Sequence, residues 1–307
     1  MVGVRFFGVV LLLAACDRPA SSRAGAAPDR PIDRPITVVD DAGRTVTFPH
    51  APRHIISLVP SGTEAIIALG ARDRLVGRTR YDHDSSIASL PIVGGGLDPN
   101  VETIVGLAPE LVLSWWSDKR AEIRRRLEAA GIPTLNLSLE DTTDTFRAIA
   151  LLGEALGLSA RADTLLRRLH DSLDVTRQLA GAQGRRRVFY VVFNDPPMTT
   201  GPKTFIAQIL DVAGGDNVFA DAVVRWPTVS LEEVVRRDPD LVVLPVGEMP
   251  ARTLDRLRTE AGWRDLRAVK RGCVVQVDAD LVNRPGPRVA RAAEQLRIAI
   301  HRAGCSA

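Results

Sequence analysis

Two stretches of this chain carry the same lettering. They are Val101-Glu102-Thr103-Ile104-Val105-Gly106-Leu107-Ala108-Pro109-Glu110-Leu111-Val112-Leu113 and Leu231-Glu232-Glu233-Val234-Val235-Arg236-Arg237-Asp238-Pro239-Asp240-Leu241-Val242-Val243. A shift of 130 positions, from Glu102 to Glu232, superimposes Glu, Val, Pro, Leu and Val and leaves conservative partners at most other places. Each copy reads as a cap, one or two helical turns opening with an acid, a break at Pro followed by an acid, and an apolar run suited to a buried parallel strand. The chain therefore repeats a unit, which predicts an α/β protein of two like lobes with one matched glutamate in each.

Ahead of the repeat, residues 1–15 read as a signal peptide: Arg5 precedes an apolar run, Phe6 to Leu13, that is too short to span a bilayer. The run closes on Leu13-Ala14-Ala15-Cys16, which resembles the lipobox of bacterial lipoproteins and implies cleavage before Cys16 and lipidation of its thiol. Residues 16–35, rich in Arg, Pro, Ala and Ser, have little to bury and read as a flexible lipidated tether. The rest is longer than one compact core usually holds. It divides into an N-terminal lobe over 36–140, a helical connector over 141–183 and a C-terminal lobe over 184–307. The charged residues, 40 basic and 37 acidic, are spread along the chain, and this balance points away from nucleic acid. Cys273 and Cys305 stand in an exported chain where a disulfide between them is open, but no cysteine or histidine has metal-type spacing.

In the first lobe, Ile36 to Pro52 alternates apolar and polar residues about Asp41-Ala42-Gly43, as a hairpin does. His54 to Leu58 reads as a short strand turning through Pro60-Ser61-Gly62-Thr63-Glu64 into a helix. There Ser61 serves either as the cap, with Glu64 as its capping-box partner, or as part of a polar-group site. A strand at Arg74 to Gly77 ends in Arg78-Thr79-Arg80-Tyr81-Asp82-His83, and the strand from Leu111 ends in Trp115-Trp116. Such carboxyl ends are where open parallel sheets bind ligands.

From Asp141 to Gln183 the apolar residues keep helical spacing, interrupted only by Gly157-Leu158-Ser159, where Ser159 can cap a second helix. A long, rigid helical link between the lobes follows. The second lobe runs from a strand at Arg187 to Val192 through Phe193, a helix opened by Thr200-Gly201-Pro202, a break at Gly214-Gly215-Asp216-Asn217, and Trp226 before the second repeat copy. In that copy Ser230 and Glu233 read as a capping box, which leaves Glu232 without a capping duty. After the strand Cys273 to Val277, the loop from Asp278 to Arg288 carries Asp280 and Arg284.

No nucleophile elbow, phosphate loop, dinucleotide fingerprint or zinc-type histidine pair is present, and the five histidines are scattered; no catalytic cofactor is implied, and an enzyme would lack its parts. What converges at the expected strand ends is aromatic: Tyr81, Trp115, Phe193 and Trp226, joined by Asp280 and Arg284. A cleft of that kind suits a large ring-rich ligand. Burying about 400 Å² of its apolar surface contributes about 10 kcal/mol before ordering costs.

Leu58-x-Pro60-Ser61-x-Thr63-Glu64, the stretch from Asn100 to Val112, Pro196-Pro197-Met198-x-x-Gly201, Gly214-Gly215-x-Asn217 and Trp226-Pro227-x-Val229-Ser230-x-Glu232 together resemble the periplasmic cobalamin-binding proteins of bacterial ABC importers. The likeness runs from about Arg53 to Arg302. It implies two Rossmann-like lobes with parallel-type sheets joined by one long helix, as in the helical-backbone binding proteins. It also implies that Tyr81, Trp115, Phe193 and Trp226 contact a corrin ring and that Asp280 and Arg284 are polar contacts. By the same likeness, Glu102 and Glu232 pair with arginines of a permease dimer that works with an ATPase. Gly94-Gly95-Gly96 replaces a family tryptophan and leaves one pocket wall open, and Ala213 with Arg297 replaces a family disulfide. Within the same class two other ligands compete. Haem iron would take Tyr81 with His83, and an anionic ferric siderophore would take Arg78 with Arg80.

Overall fold

The hairpin expected at residues 36–52 is the antiparallel pair β1 (Ile36–Val39) and β2 (Thr45–Phe48), with Ile36, Val38 and Phe48 turned inward. The computed structural model describes Gly3 and residues 34–115, 121–247 and 254–302. Apart from Gly3 the expected signal peptide, nearly all of the tether, Cys16, Trp116 and Cys305 lie outside the described residues.

Two parallel sheets follow. In the first, β3 (Ile55–Ser57), β4 (Leu75–Gly77), β5 (Leu111–Trp115) and β6 (Thr134–Leu137) lie in the order β4-β3-β5-β6. In the second, β7 (Arg186–Asn194) pairs in parallel with β9 (Gly215–Asn217) on one side and β10 (Leu241–Val246) on the other, and β11 (Val274–Asp278) completes the row. The far end of β7 folds back on β8 (Pro197–Thr199) as an antiparallel ribbon. The orders β4-β3-β5-β6 and β9-β7-β10-β11 are the same order twice, so the repeated lettering is a repeated lobe. The central strands β3, β5 and β10 and the middle of β7 are buried, as parallel sheets covered by helices require, whereas β9 and β11 keep exposed positions.

The repeat extends to the backbone. Ala108 and Asp238 occupy matched places and are both left-handed, at φ 46° and 44°. The acid after each Pro does the same work in both copies: Glu110 accepts the N–H of His54 at 3.2 Å, and Asp240 accepts the N–H of Arg187 at 3.1 Å. Each thereby fastens the start of the neighbouring strand. The apolar runs, the turn and this acid account for most of the shared lettering without any ligand.

α1 (Pro60–Ala68) starts on a proline whose fixed φ suits the first turn, with Val59 as the capping position and no side-chain cap. Ser61 is therefore not the cap, and Glu64 is not its partner. α2 (Val101–Gly106) is capped by Asn100, whose side chain accepts the N–H of Thr103 at 2.9 Å. α3 (Ala121–Ala129) follows β5. The connector is two helices, α4 (Thr142–Ala155) and α5 (Ser159–Gln183), the second 25 residues and roughly 37 Å long. Leu158, not Ser159, takes the capping position of α5. α4 packs on β1 and α1, whereas α5 packs on α4, on α6 (Phe205–Val212) and on α11 (Val289–Ile300). The two connector helices meet so closely that a Cβ at Gly153 would lie 2.4 Å from that of Ala162. In the second lobe α6 starts at Phe205 under the cap of Thr204, later than the Thr200-Gly201-Pro202 start expected. Gly214 to Asn217, read as a helix break, contains the short strand β9 as well. α7 (Leu231–Arg237) is the second-copy helix, and α8 (Leu254–Thr259), α9 (Arg267–Lys270) and α10 (Ala279–Val282) complete the set.

One continuous buried cluster passes from the hairpin through Ile149, Leu152, Leu169 and Leu173 of the connector to Val188 and Phe189 of the second sheet. A smaller cluster, Ile56, Val101, Ile104, Val112 and Leu127, packs the other face of the first sheet. The lobes thus share apolar packing through the connector.

Candidate functional site

A cavity of about 500 Å³ opens where the carboxyl ends of β7 and β10 meet the segment after β11, with Tyr81 and His83 reaching it from the first lobe. Its apolar walls are Phe193, Val191, Leu244 and Pro245, and its polar end is Asp280, Asn283 and Arg284. This is the crevice outside parallel strand ends where α/β proteins hold ligands.

Local chemistry holds Tyr81 out. The carboxylate of buried Asp82 accepts the N–H and the hydroxyl of Thr79, at 2.6 and 2.7 Å, and the Thr79 hydroxyl accepts the N–H of Tyr81. The tight turn leaves the Tyr81 ring 41% exposed. Arg80 lies 5.7 Å from the centre of that ring and pairs with Asp98 at 2.8 Å, which holds Asp98 below the usual carboxyl range. The three glycines expected to leave a wall open are closely packed, with Gly95 against the Tyr81 ring and Gly94 and Gly96 against neighbouring backbone. A Cβ at Gly95 would lie 3.0 Å from Tyr81, and one at Gly96 would lie 2.5 Å from the Leu58 carbonyl. Phe193, on the β7–β8 ribbon, is 42% exposed. Two rings held in solvent with their backbone fixed are characteristic of a contact surface. The other tyrosine, Tyr190, is fully buried and donates its hydroxyl to Asn283 at 2.6 Å, which positions that amide in the wall.

Tyr81, Phe193, Asp280 and Arg284 therefore line one cavity, while Trp115 and Trp226 are not among its lining residues. Trp115 is half-buried at the end of β5 against the main core. Trp226 is 39% exposed in the loop whose Pro227 carbonyl accepts the N–H of Thr199 in β8.

Behind the polar end stand two residues that sequence reasoning did not place, Glu64 and Arg288; neither lines this cavity, and both line a smaller one of about 170 Å³ together with Asp280 and Arg284. Glu64, on α1 of the first lobe, accepts from Arg284 at 3.0 Å and from Arg288 at 2.9 and 2.7 Å, across the boundary between the lobes. Asp280 pairs with both arginines, at 2.9 Å to Arg288 and closer to Arg284, and Arg284 also donates to the Tyr81 carbonyl at 3.2 Å. Burial alone would pull the Arg288 guanidinium down, but the hydrogen bonds and charges of Glu64 and Asp280 outweigh it and hold that group above its ordinary value. The available signal was slight: Arg284 and Arg288 both lie in the loop between α10 and α11, and Glu64 directly follows the Ser-x-Thr of the turn.

The matched glutamates stand elsewhere. Glu102 has its side chain 80% exposed and pairs with Arg126 at 2.9 Å, and Glu232 is exposed and makes no ion pair among the described residues. Ser230 caps α7 by accepting the N–H of Glu233 at 3.2 Å; the Glu233 carboxylate does not close a capping box but turns to Arg236 and to Arg237, the latter at 2.6 Å. The residues of the rival ligands are also located. Arg78 donates to the carbonyls of Thr79 and Ala88, each at 3.3 Å, and Arg80 is held by Asp98.

This geometry is that of a two-lobed binding protein, with a ligand cavity between like sheets. The family model described as periplasmic binding protein matches residues 55–281, and the chain belongs to that family. It is 32% identical over 95% of its length to the uncharacterized ABC transporter substrate-binding lipoprotein YvrC of Bacillus subtilis, covering 93% of that protein. It is 29% identical over 94% of its length to a cobalamin-binding protein of Halobacterium salinarum, covering 79% of it. Among solved structures, the periplasmic haem-binding protein RhuT of Roseiflexus matches with a TM-score of 0.72 and 25% identity, over 82% of this chain and 99% of that one.

Proposed function

We propose that this protein is an extracytoplasmic solute-binding lipoprotein, anchored through Cys16, that holds cobalamin or a related corrinoid between its lobes. It delivers that ligand to the permease dimer of an ABC importer. The observation that carries the ligand choice is the composition of the cavity. Apolar walls and two exposed rings, Tyr81 and Phe193, meet a polar end where the Arg284 guanidinium is matched by Asp280 and, behind the wall, by Glu64. A corrin presents a broad apolar ring edged with uncharged amides, which suits such a cavity. The cobalamin-binding relative from Halobacterium supports the same reading. The arginines a siderophore would need are engaged with backbone carbonyls or with Asp98.

Haem remains the second reading, because Tyr81 and His83 both line the cavity and RhuT shares the fold. Calorimetric titration of the purified protein with cyanocobalamin, followed by desalting and an absorbance spectrum, tests the proposal. Saturable heat and retained corrin absorbance are expected. Absence of both, with a Soret band on haem addition that disappears in Tyr81→Phe, would overturn the corrinoid reading in favour of haem.

A further inference from the structure

Glu64 sits in the first lobe, yet all three of its hydrogen bonds with arginine come from residues 220 and 224 positions away in the second. The two arginines and the two carboxylates at this edge sum to zero charge. Arg284 and Asp280 line the cavity, whereas Glu64 stands behind them; its side chain is 16% exposed and those of Arg284 and Arg288 are 17% and 28% exposed. As a device for holding lobes together this is inefficient, because partly buried ion pairs lose most of their Coulombic gain to desolvation and apolar contacts would serve as well. Apolar packing already joins the lobes through the connector, and a Cβ at Gly286 would lie 3.6 Å from that of Ser61 and 3.4 Å from the same carboxylate. Glu64 does not line the cavity, so its charge reaches a bound ligand through Arg284, which does.

We infer that Glu64 is a specificity-determining residue: it cancels a guanidinium charge at the polar edge, so the cavity accepts a ligand with uncharged amide arms and refuses one with carboxylates. This rests on the reading that the cavity takes a tetrapyrrole-sized ring. A ligand carboxylate and an amide carbonyl would accept from the same Arg284 N–H groups, but the carboxylate brings a third negative charge beside Asp280 and Glu64 in a half-buried place, whereas the amide brings none.

The test is a charge series read with two probes that differ only in charge, haemin and its dimethyl ester. Glu64→Gln with Arg288→Gln keeps the wild-type charge at this edge, Glu64→Gln alone adds +1 to it and Arg288→Gln alone adds −1, with Asp82 and Asp84 beside it unchanged throughout. The ratio of haemin affinity to ester affinity should rise by about tenfold in Glu64→Gln, as expected for one freed charge-assisted hydrogen bond. It should fall below wild type in Arg288→Gln and return to the wild-type ratio in the double variant. The gain should shrink as salt is raised. A ratio that stays constant across the series, or a double variant that behaves like Glu64→Gln, would overturn the inference. Arg288→Gln keeps the test open if Glu64→Gln proves unfolded in a thermal melt. Cyanocobalamin binding by wild type is measured separately. Its failure would remove the corrinoid reading, while the charge series would still decide the role of Glu64.

Discussion

Asp40 shows how one residue ties distant parts of the first lobe. Its side chain is fully buried and accepts from the N–H groups of Ala42 and Arg44, from the Arg44 guanidinium and from the backbone and side-chain amides of Asn136. Burial by itself raises this carboxyl, but the Asn136 and Arg44 donors prevail and hold it below its ordinary value of 3.8. A carboxyl depressed in the folded state adds stability that is present above 3.8 and is lost as pH falls through the lower folded value. Asp40→Ala should therefore cost about 3 kcal/mol in urea unfolding at neutral pH, since it leaves four amide N–H groups without their acceptor while the Arg44 guanidinium keeps Glu128 and Thr134. The difference from wild type should narrow in acid below 3.8. A loss under 1 kcal/mol would mean that the hairpin is held by its apolar face alone.

At the scale of elements, the repeat separates two kinds of acid. Glu110 and Asp240 fasten strand starts in the same way in both lobes, so their recurrence has a structural cause. Glu102 and Glu232 recur at exposed first-turn positions whose capping is done by Asn100 and Ser230. A first-turn carboxylate gains only about 0.3–1 kcal/mol from its helix, which does not account for a matched, exposed pair. Valines 105 and 235, each one turn further on, are also exposed, at 41% and 39%, so each glutamate stands beside an apolar contact. In the proposed reading the pair docks on cations of a two-fold permease. Glu102→Ala combined with Glu232→Ala should then leave ligand affinity unchanged and abolish uptake in cells. Uptake at the wild-type rate would remove the docking role.

For the whole molecule, the shared core and the 25-residue helix α5 limit how far the lobes can move. A hinge normally needs a few loop residues free to change φ and ψ. Here α4 and α5 are packed on each other as well as on their own lobes. Spin labels at Val105→Cys and Val235→Cys, both exposed and one per lobe, should report nearly the same distance with and without ligand. A ligand-induced shift much larger than that of a label pair within one lobe would show that the lobes hinge freely.

How much of this was legible depends on the range of each signal. The hairpin, both sheets' longer strands, the connector helices and the Asn100 cap follow from local periodicity and capping chemistry, which a sequence displays directly. The three-residue strand β9 shows no period because it is too short to have one, and Gly214-Gly215 reads equally as a break. Four of the six expected contact residues share a cavity, but strand-end position alone could not tell that Trp115 packs against the core and that Trp226 lies in a loop beside β8.

By itself the sequence determined the two-lobed α/β plan, the helical link and the matched glutamates, because all three rest on patterns that repeat along the chain. Only the tertiary structure decided that Glu64 faces Arg284 and Arg288. Those residues are more than 200 positions apart, and nothing in local chemistry distinguishes a helix-start glutamate awaiting a cap from one awaiting a cation in the other lobe.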